Sequence, residues 1–174
     1  MKAMEGWDTR QRQTDDGAVE SEQVVLLTRP VVEFSAAGAE RLGWAYWREV
    51  ERITWGLVRG RRRGTSLELR LAGRGPSLLR FGPPTVEVSD ELVSCRYPIV
   101  GGLLARRAAG EITFAQTSLP RPGLRSTITG FFPRLAARQG EPDWTGALYS
   151  HVQSRIHVAV SRRYFKRLIA EAGS

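Results

Sequence analysis

A chain of 174 residues with 41% hydrophobic side chains is long enough for one sizeable core and too apolar for a disordered polymer. The lone cysteine, Cys95, excludes an intrachain disulfide and a cysteine-built zinc site, and no apolar run reaches the roughly 18–20 residues that span a bilayer. The formal net charge of +8 raises nucleic acid as a partner, but Lys2 and Lys166 are the only lysines. Arginine in place of lysine, with much Ala, Gly and Pro, is what a GC-rich coding sequence yields without selection for binding.

Met1–Glu22 is polar and charged, with Asp15-Asp16-Gly17 and almost no apolar periodicity, and is expected to be a disordered lead-in. It lacks the apolar stretch of a signal peptide, so a cytoplasmic protein is the expectation. The single folded domain is expected to begin at Gln23. Val24-Val25-Leu26-Leu27 has the length of a strand, and Val31, Val32 and Phe34 extend it past Pro30. Ser35 then caps a helix.

Leu42, Tyr46, Val50, Ile53 and Leu57 recur at helical steps, which predicts an amphipathic helix over Ala39–Arg59. Gly43 and Gly56 leave open whether it is one helix or two. Trp44 and Trp55, three turns apart, share a second face with Arg48 and Arg59, and that face is expected to pack against the domain. The run Arg59-Gly60-Arg61-Arg62-Arg63-Gly64 reads as a solvated connector into the next strand.

From Thr65 the period changes to two. Leu67, Leu69 and Leu71 mark one strand, Leu79 and Phe81 a second, and Val86 and Val88 a third. Val93, Cys95, Tyr97 and Ile99 alternate along a fourth, so Cys95 reads as a buried apolar residue and not as a nucleophile. Ile112 and Phe114 mark a fifth, and Leu124–Phe132 a sixth. Short runs joined by turns predict an antiparallel meander.

Trp144–Ala172 contains no proline, and its only glycine, Gly146, lies in the first turn. A helix of roughly 40 Å follows. Its apolar stripe rotates from Leu148, Val152, Ile156 and Ala159 to Tyr164, Phe165, Leu168 and Ile169, so it either wraps a curved surface or bends near Ser161. Arg155, Arg162, Arg163, Lys166 and Arg167 fill the remainder and complement the helix dipole. The fold class is thus α+β, a curved antiparallel sheet of about seven strands closed by a long C-terminal helix, with one or two helices after the first strand.

Signatures of chemistry are scarce. The chain has no glycine-rich phosphate loop, no nucleophile elbow and no metalloprotease pattern. His151 and His157, six residues apart, diverge by about 120° on a helix and cannot share a metal. No metal or other cofactor is expected.

The order strand, helix, strands, long helix resembles the helix-grip architecture of the START and polyketide-cyclase-like superfamily, the fold of the major birch pollen allergen. Val24–Phe34, Ala39–Arg59 and Trp144–Ala172 carry that resemblance. Tyr97-Pro98-Ile99-Val100-Gly101-Gly102 and Arg163-Tyr164-Phe165 are similar to stretches in actinobacterial relatives. The resemblance implies a cavity between sheet and helix that takes a small hydrophobic molecule. Its expected lining is Phe81, Tyr97 and Phe114 from the sheet, with Tyr149, Val152, Gln153 and Ile156 from the helix. An enzyme using Tyr97, Tyr149, His151 or His157 in that cavity is the second reading. A basic protein binding nucleic acid or an acidic partner is the third, and it requires the arginine clusters to converge on one face.

Overall fold

The computed structural model describes residues 4–134 and 143–173, with side chains described for 6–134 and 156–173. In chain order the elements are β1 (Met4–Gln13), β2 (Val19–Leu27), α1 (Ala36–Ile53), β3 (Val58–Arg63), β4 (Ser66–Leu71), β5 (Ser77–Phe81), β6 (Thr85–Val88), β7 (Leu92–Gly101), β8 (Glu111–Thr117), β9 (Gly123–Phe131) and α2 (Asp143–Gly173). The architecture is α+β. One nine-stranded sheet runs β1-β2-β9-β8-β7-β5-β4-β3, with β6 beside β7, and every pairing in it is antiparallel. Both helices pack on one face.

The sheet has two more strands than expected, and each has a physical reason. Residues 1–22 were expected to be disordered, yet they include β1 and the start of β2, joined in one hairpin. Every residue of β1 after Trp7 is polar and exposed, so no apolar alternation marks that strand. Thr9 Oγ1 donates to Gln23 Oε1 at 2.7 Å and Gln11 Nε2 to Ser21 Oγ at 3.4 Å, which satisfies those groups within the hairpin. Trp7 completes the attachment, edge-on to Phe165 at 5.3 Å.

The second extra strand is β3, which occupies the arginine run read as a connector. Arg62 turns toward α1 and lies over the Trp44 ring at 4.3 Å. The alternate residues Arg59, Arg61 and Arg63 take the opposite face.

α1 begins as predicted, with Ser35 Oγ accepting from the Gly38 N–H at 3.1 Å. It is one helix, continuous through Gly43, where the Tyr97 ring leaves no room for a Cβ. It stops at Ile53 instead of Arg59, so Trp55 and Leu57 lie beyond it in the connection to β3 and not on a helical face. Leu42 and Tyr46 are buried; Val50 and Ile53 pack at the margin.

A buried side chain fixes the segment between β2 and α1. Gln116 on β8 accepts the Val31 and Val32 N–H groups on Oε1, at 2.7 and 3.0 Å, and donates Nε2 to the Val32 carbonyl at 2.8 Å. Three backbone groups that lack a ladder partner are thereby satisfied away from water.

α2 is an unbroken helix of 31 residues, roughly 45 Å long. Its buried stripe over the described side chains is His157, Val160, Ser161, Tyr164, Phe165 and Leu168. Ile156 and Ala159 fall outside that stripe. Leu148, Tyr149, Val152 and Gln153, which define the earlier part of the face, have side chains outside the described residues. The buried carboxylate of Glu49 ties α1 to α2 through Arg167 at 3.2 Å and also pairs with Arg52 of its own helix at 3.2 Å. No helix is long and apolar enough to cross a membrane, among the described residues.

Candidate functional site

The inner sheet face is chemically divided. Toward β5, β7 and β8 it is aromatic. Trp47 of α1 packs against Phe81 at 5.0 Å, Tyr97 at 5.3 Å and Phe114 at 5.7 Å between ring centroids. Phe81, Tyr97 and Phe114 are therefore together, buried in the core and in contact with Trp47. Cys95 lies among them, and burial pushes its thiol pKa up, away from thiolate chemistry.

Toward β2 and β9 polar side chains interrupt the same face, among the buried Val25, Leu27 and Leu124. Gln23 and Ser126 are cross-strand partners, and both are fully buried. Over this half runs the middle of α2, which presents His157, Ser161 and Tyr164.

Tyr46 of α1 stands where the two halves meet. Its ring lies 4.5 Å from Phe114 and 5.5 Å from Tyr164, and its hydroxyl meets His157 Nδ1 at 2.8 Å. Whichever of the two groups supplies the proton, His157 Nε2 is buried with no hydrogen-bond partner among the described residues. The hydroxyls of Ser126, Ser161 and Tyr164 and the indole N–H of Trp47 are likewise buried without one. Ser161 lies close enough to the Tyr46 hydroxyl, and Trp47 close enough to that of Tyr97, to favour the phenolates slightly, but neither pair has hydrogen-bond geometry. Each such atom needs an account, and ordered water or a bound polar group is the usual one.

Burial dominates the electrostatics. It holds the His157 pKa down to about 4, so the imidazole is neutral at pH 7. It pushes Tyr46, Tyr97 and Tyr164 upward, which keeps all three phenols protonated. The region is an uncharged set of donors and acceptors walled by aromatic rings. Among the described residues no three His, Cys, Asp or Glu side chains gather as a metal ion would need.

The helix residues expected in the lining divide differently. Ile156 is 50% exposed and belongs to the outer side of α2. Tyr149, Val152 and Gln153, with His151, have side chains outside the described residues. Sequence reasoning missed Tyr46, Ser126 and Ser161. Tyr46 was read as an ordinary apolar-face residue, and the two serines carry no periodic signal.

A separate concavity of about 270 Å3 opens between α1 and the last turns of α2, lined in part by Trp44, Ala45 and Arg48. Its acidic and basic groups largely neutralise one another, since Arg41 pairs with Glu171 at 3.2 Å while Glu49 holds Arg52 and Arg167. Among the described residues the arginine clusters converge only in part: Arg62 lies over Trp44, which lines the same concavity as Arg167, and the rest diverge. Arg162 lies 5.5 Å above Trp7 on β1, at one edge of the sheet, while Arg59, Arg61 and Arg63 lie on β3 at the other.

Fold and site together define an α+β protein with an all-antiparallel sheet and a partly polar interior beneath its C-terminal helix. No family model matches the chain, and no curated protein or solved structure is detectably similar to it.

Proposed function

We propose that this protein binds a small, mostly apolar molecule carrying at least one polar group, held between the inner sheet face and α2. The observation that carries this reading is the set of buried polar atoms without hydrogen-bond partners among the described residues, His157 Nε2 and the Ser126, Ser161 and Tyr164 hydroxyls, near the rings of Tyr46 and Phe114. An apolar wall with a few inward polar groups is the usual composition of a small-molecule site. The order of elements, a strand and a helix followed by antiparallel strands and a long closing helix, supports the same reading through its resemblance to helix-grip proteins. Within that resemblance Phe81, Tyr97 and Phe114 form the floor, and Tyr149, Val152 and Gln153 remain proposed lining.

Binding is favoured over catalysis on electrostatic grounds. A histidine whose pKa burial holds near 4 is a weak base at neutral pH, and phenols shifted upward are weak acids. Neither member of the Tyr46–His157 pair is poised to move a proton.

Titration with the fluorescent apolar anion 1-anilinonaphthalene-8-sulfonate, read together with thermal unfolding, tests the reading. Saturable binding should raise the melting temperature, with about 2.7 kcal/mol of added stability at a hundredfold excess over Kd. Ser126→Ala and Ser161→Ala should each weaken the complex while leaving the free protein folded. Dye binding without a rise in melting temperature, or affinities unmoved by both serine variants, would refute an interior site.

A further inference from the structure

The connection that leaves α1 is built around an unusual residue. The Gly56 N–H donates to the Glu51 carbonyl at 2.7 Å and the Trp55 N–H to the Arg52 carbonyl at 3.1 Å, a Schellman ending. The left-handed position in such an ending normally holds glycine. Here it holds Trp55, at φ +55°, although Gly56 is the very next residue. The indole gains no packing from this conformation, because Trp55 is 96% exposed. Leu57, two residues on, is 58% exposed. A strained backbone that holds a tryptophan out in water is a feature of functional surfaces.

Cations gather around that tip. The Leu57 carbonyl accepts the Ala72 N–H at 2.6 Å, which brings the β4–β5 turn alongside. Arg59 Nε donates to the Gly56 carbonyl at 3.1 Å, directly beside Trp55. A Cβ on Gly73 would lie 3.2 Å from Arg59 Cδ and 3.7 Å from Arg61 Nη2, so both side chains run along this turn, where Arg74 is also exposed. The neighbouring carboxylates, Glu51 and Glu68, make no ion pair with Arg59, Arg61 or Arg74. Glu51 accepts the Gly60 N–H at 3.0 Å, and Glu68 pairs with Arg63 and Arg70. Arg59, Arg61 and Arg74 therefore present positive charge with no carboxylate partner among the described residues.

We propose that this tip docks on an anionic lipid surface, with Trp55 and Leu57 entering the interfacial layer and Arg59, Arg61 and Arg74 meeting lipid phosphates. Tryptophan favours the level of the headgroups, and arginine near an anionic leaflet adds attraction that salt screens. A nucleic acid fits less well. The projecting turn offers a single aromatic ring followed by an aliphatic side chain, whereas single strands are held in grooves by successive stacking rings. The docking is peripheral and independent of what the interior binds.

Flotation of the full chain with phosphatidylcholine vesicles, with and without phosphatidylserine, tests the proposal. The protein should float with the phosphatidylserine vesicles and be released by high salt. Trp55→Gly should lower vesicle affinity by about tenfold or more, from the loss of one large buried aromatic. Its melting temperature should not fall, since glycine suits that backbone. Arg61→Ser should lower affinity by about fivefold. The proposal is overturned if the protein stays behind at low salt, floats equally well without phosphatidylserine, or floats undiminished as Trp55→Gly. A single-stranded oligonucleotide bound more tightly than the vesicles, and weakened by the same two variants, would overturn it in favour of nucleic acid.

Discussion

Acidification should unfold this protein earlier than its carboxylates alone would require, because of His157. Burial lowers its pKa from 6.5 to about 4. The folded state therefore resists a proton that the unfolded chain accepts. The stability this group provides is complete above about pH 7 and is lost as the pH falls from 6.5 toward 4. With these two values, the loss at pH 5 is about 2 kcal/mol, rising to about 3 kcal/mol near pH 4. Urea unfolding at pH 7 and pH 5 measures it, with His157→Gln as the reference. Glutamine is neutral and polar, and it retains a group that can face the Tyr46 hydroxyl. The difference between the two proteins cancels the carboxylates and His151, so the wild type should lose about 2 kcal/mol more than the variant. Equal losses in both would show that His157 is not held neutral by burial, and the electrostatic case for binding over catalysis would go with it.

Two further substitutions probe how the site is framed. Gln116→Leu keeps the volume but strips three buried backbone groups of their partner, and should cost about 2–4 kcal/mol in denaturant unfolding. A loss under 1 kcal/mol would mean that water replaces the side chain there. Gly43→Ala drives a methyl group into the Tyr97 ring and should cost about 1–3 kcal/mol in thermal unfolding. Adding Tyr97→Phe should recover part of that loss, because the hydroxyl is among the displaced atoms; strict additivity would contradict the contact.

Elements with an apolar period were legible in the sequence. Val93, Cys95, Tyr97 and Ile99 are all buried along β7, and Leu42 and Tyr46 are buried under α1, as their spacing required. The long closing helix also matched its expected span to within one residue at each end. What failed did so for definite physical reasons. β1 sets only Trp7 against the core, while Thr9 and Gln11 are exposed and hydrogen-bonded to β2, and a strand held by hydrogen bonds leaves no hydrophobic signature. β3 consists of arginines around Gly60, with no apolar residue after Val58 to announce a strand. The end of α1 was placed too late because Leu57 falls in helical phase although the backbone has already turned at Trp55. Of the candidate site, the burial of Phe81, Tyr97 and Phe114 was readable from alternation. The burial of Ser126 and Ser161 was not, since it follows only once α2 is laid over the sheet.

The order of strands leaves β1 and β3 at the two ends of the sheet, and the short β6, paired only with β7, forms a third open edge. An open strand edge invites another chain to add to it, and charge along that edge is one deterrent. Asp8, Arg10 and Arg12 line one rim, while Arg59, Arg61, Arg62 and Arg63 line the other. Some of the arginine surplus thus guards the sheet against self-association, whatever else the protein meets. The N-terminal hairpin acquires a protective role from this arrangement. A shortened chain that began at Ala18 would expose the backbone beside Val24-Val25-Leu26-Leu27, replacing a charged rim with an apolar one that a second copy could extend.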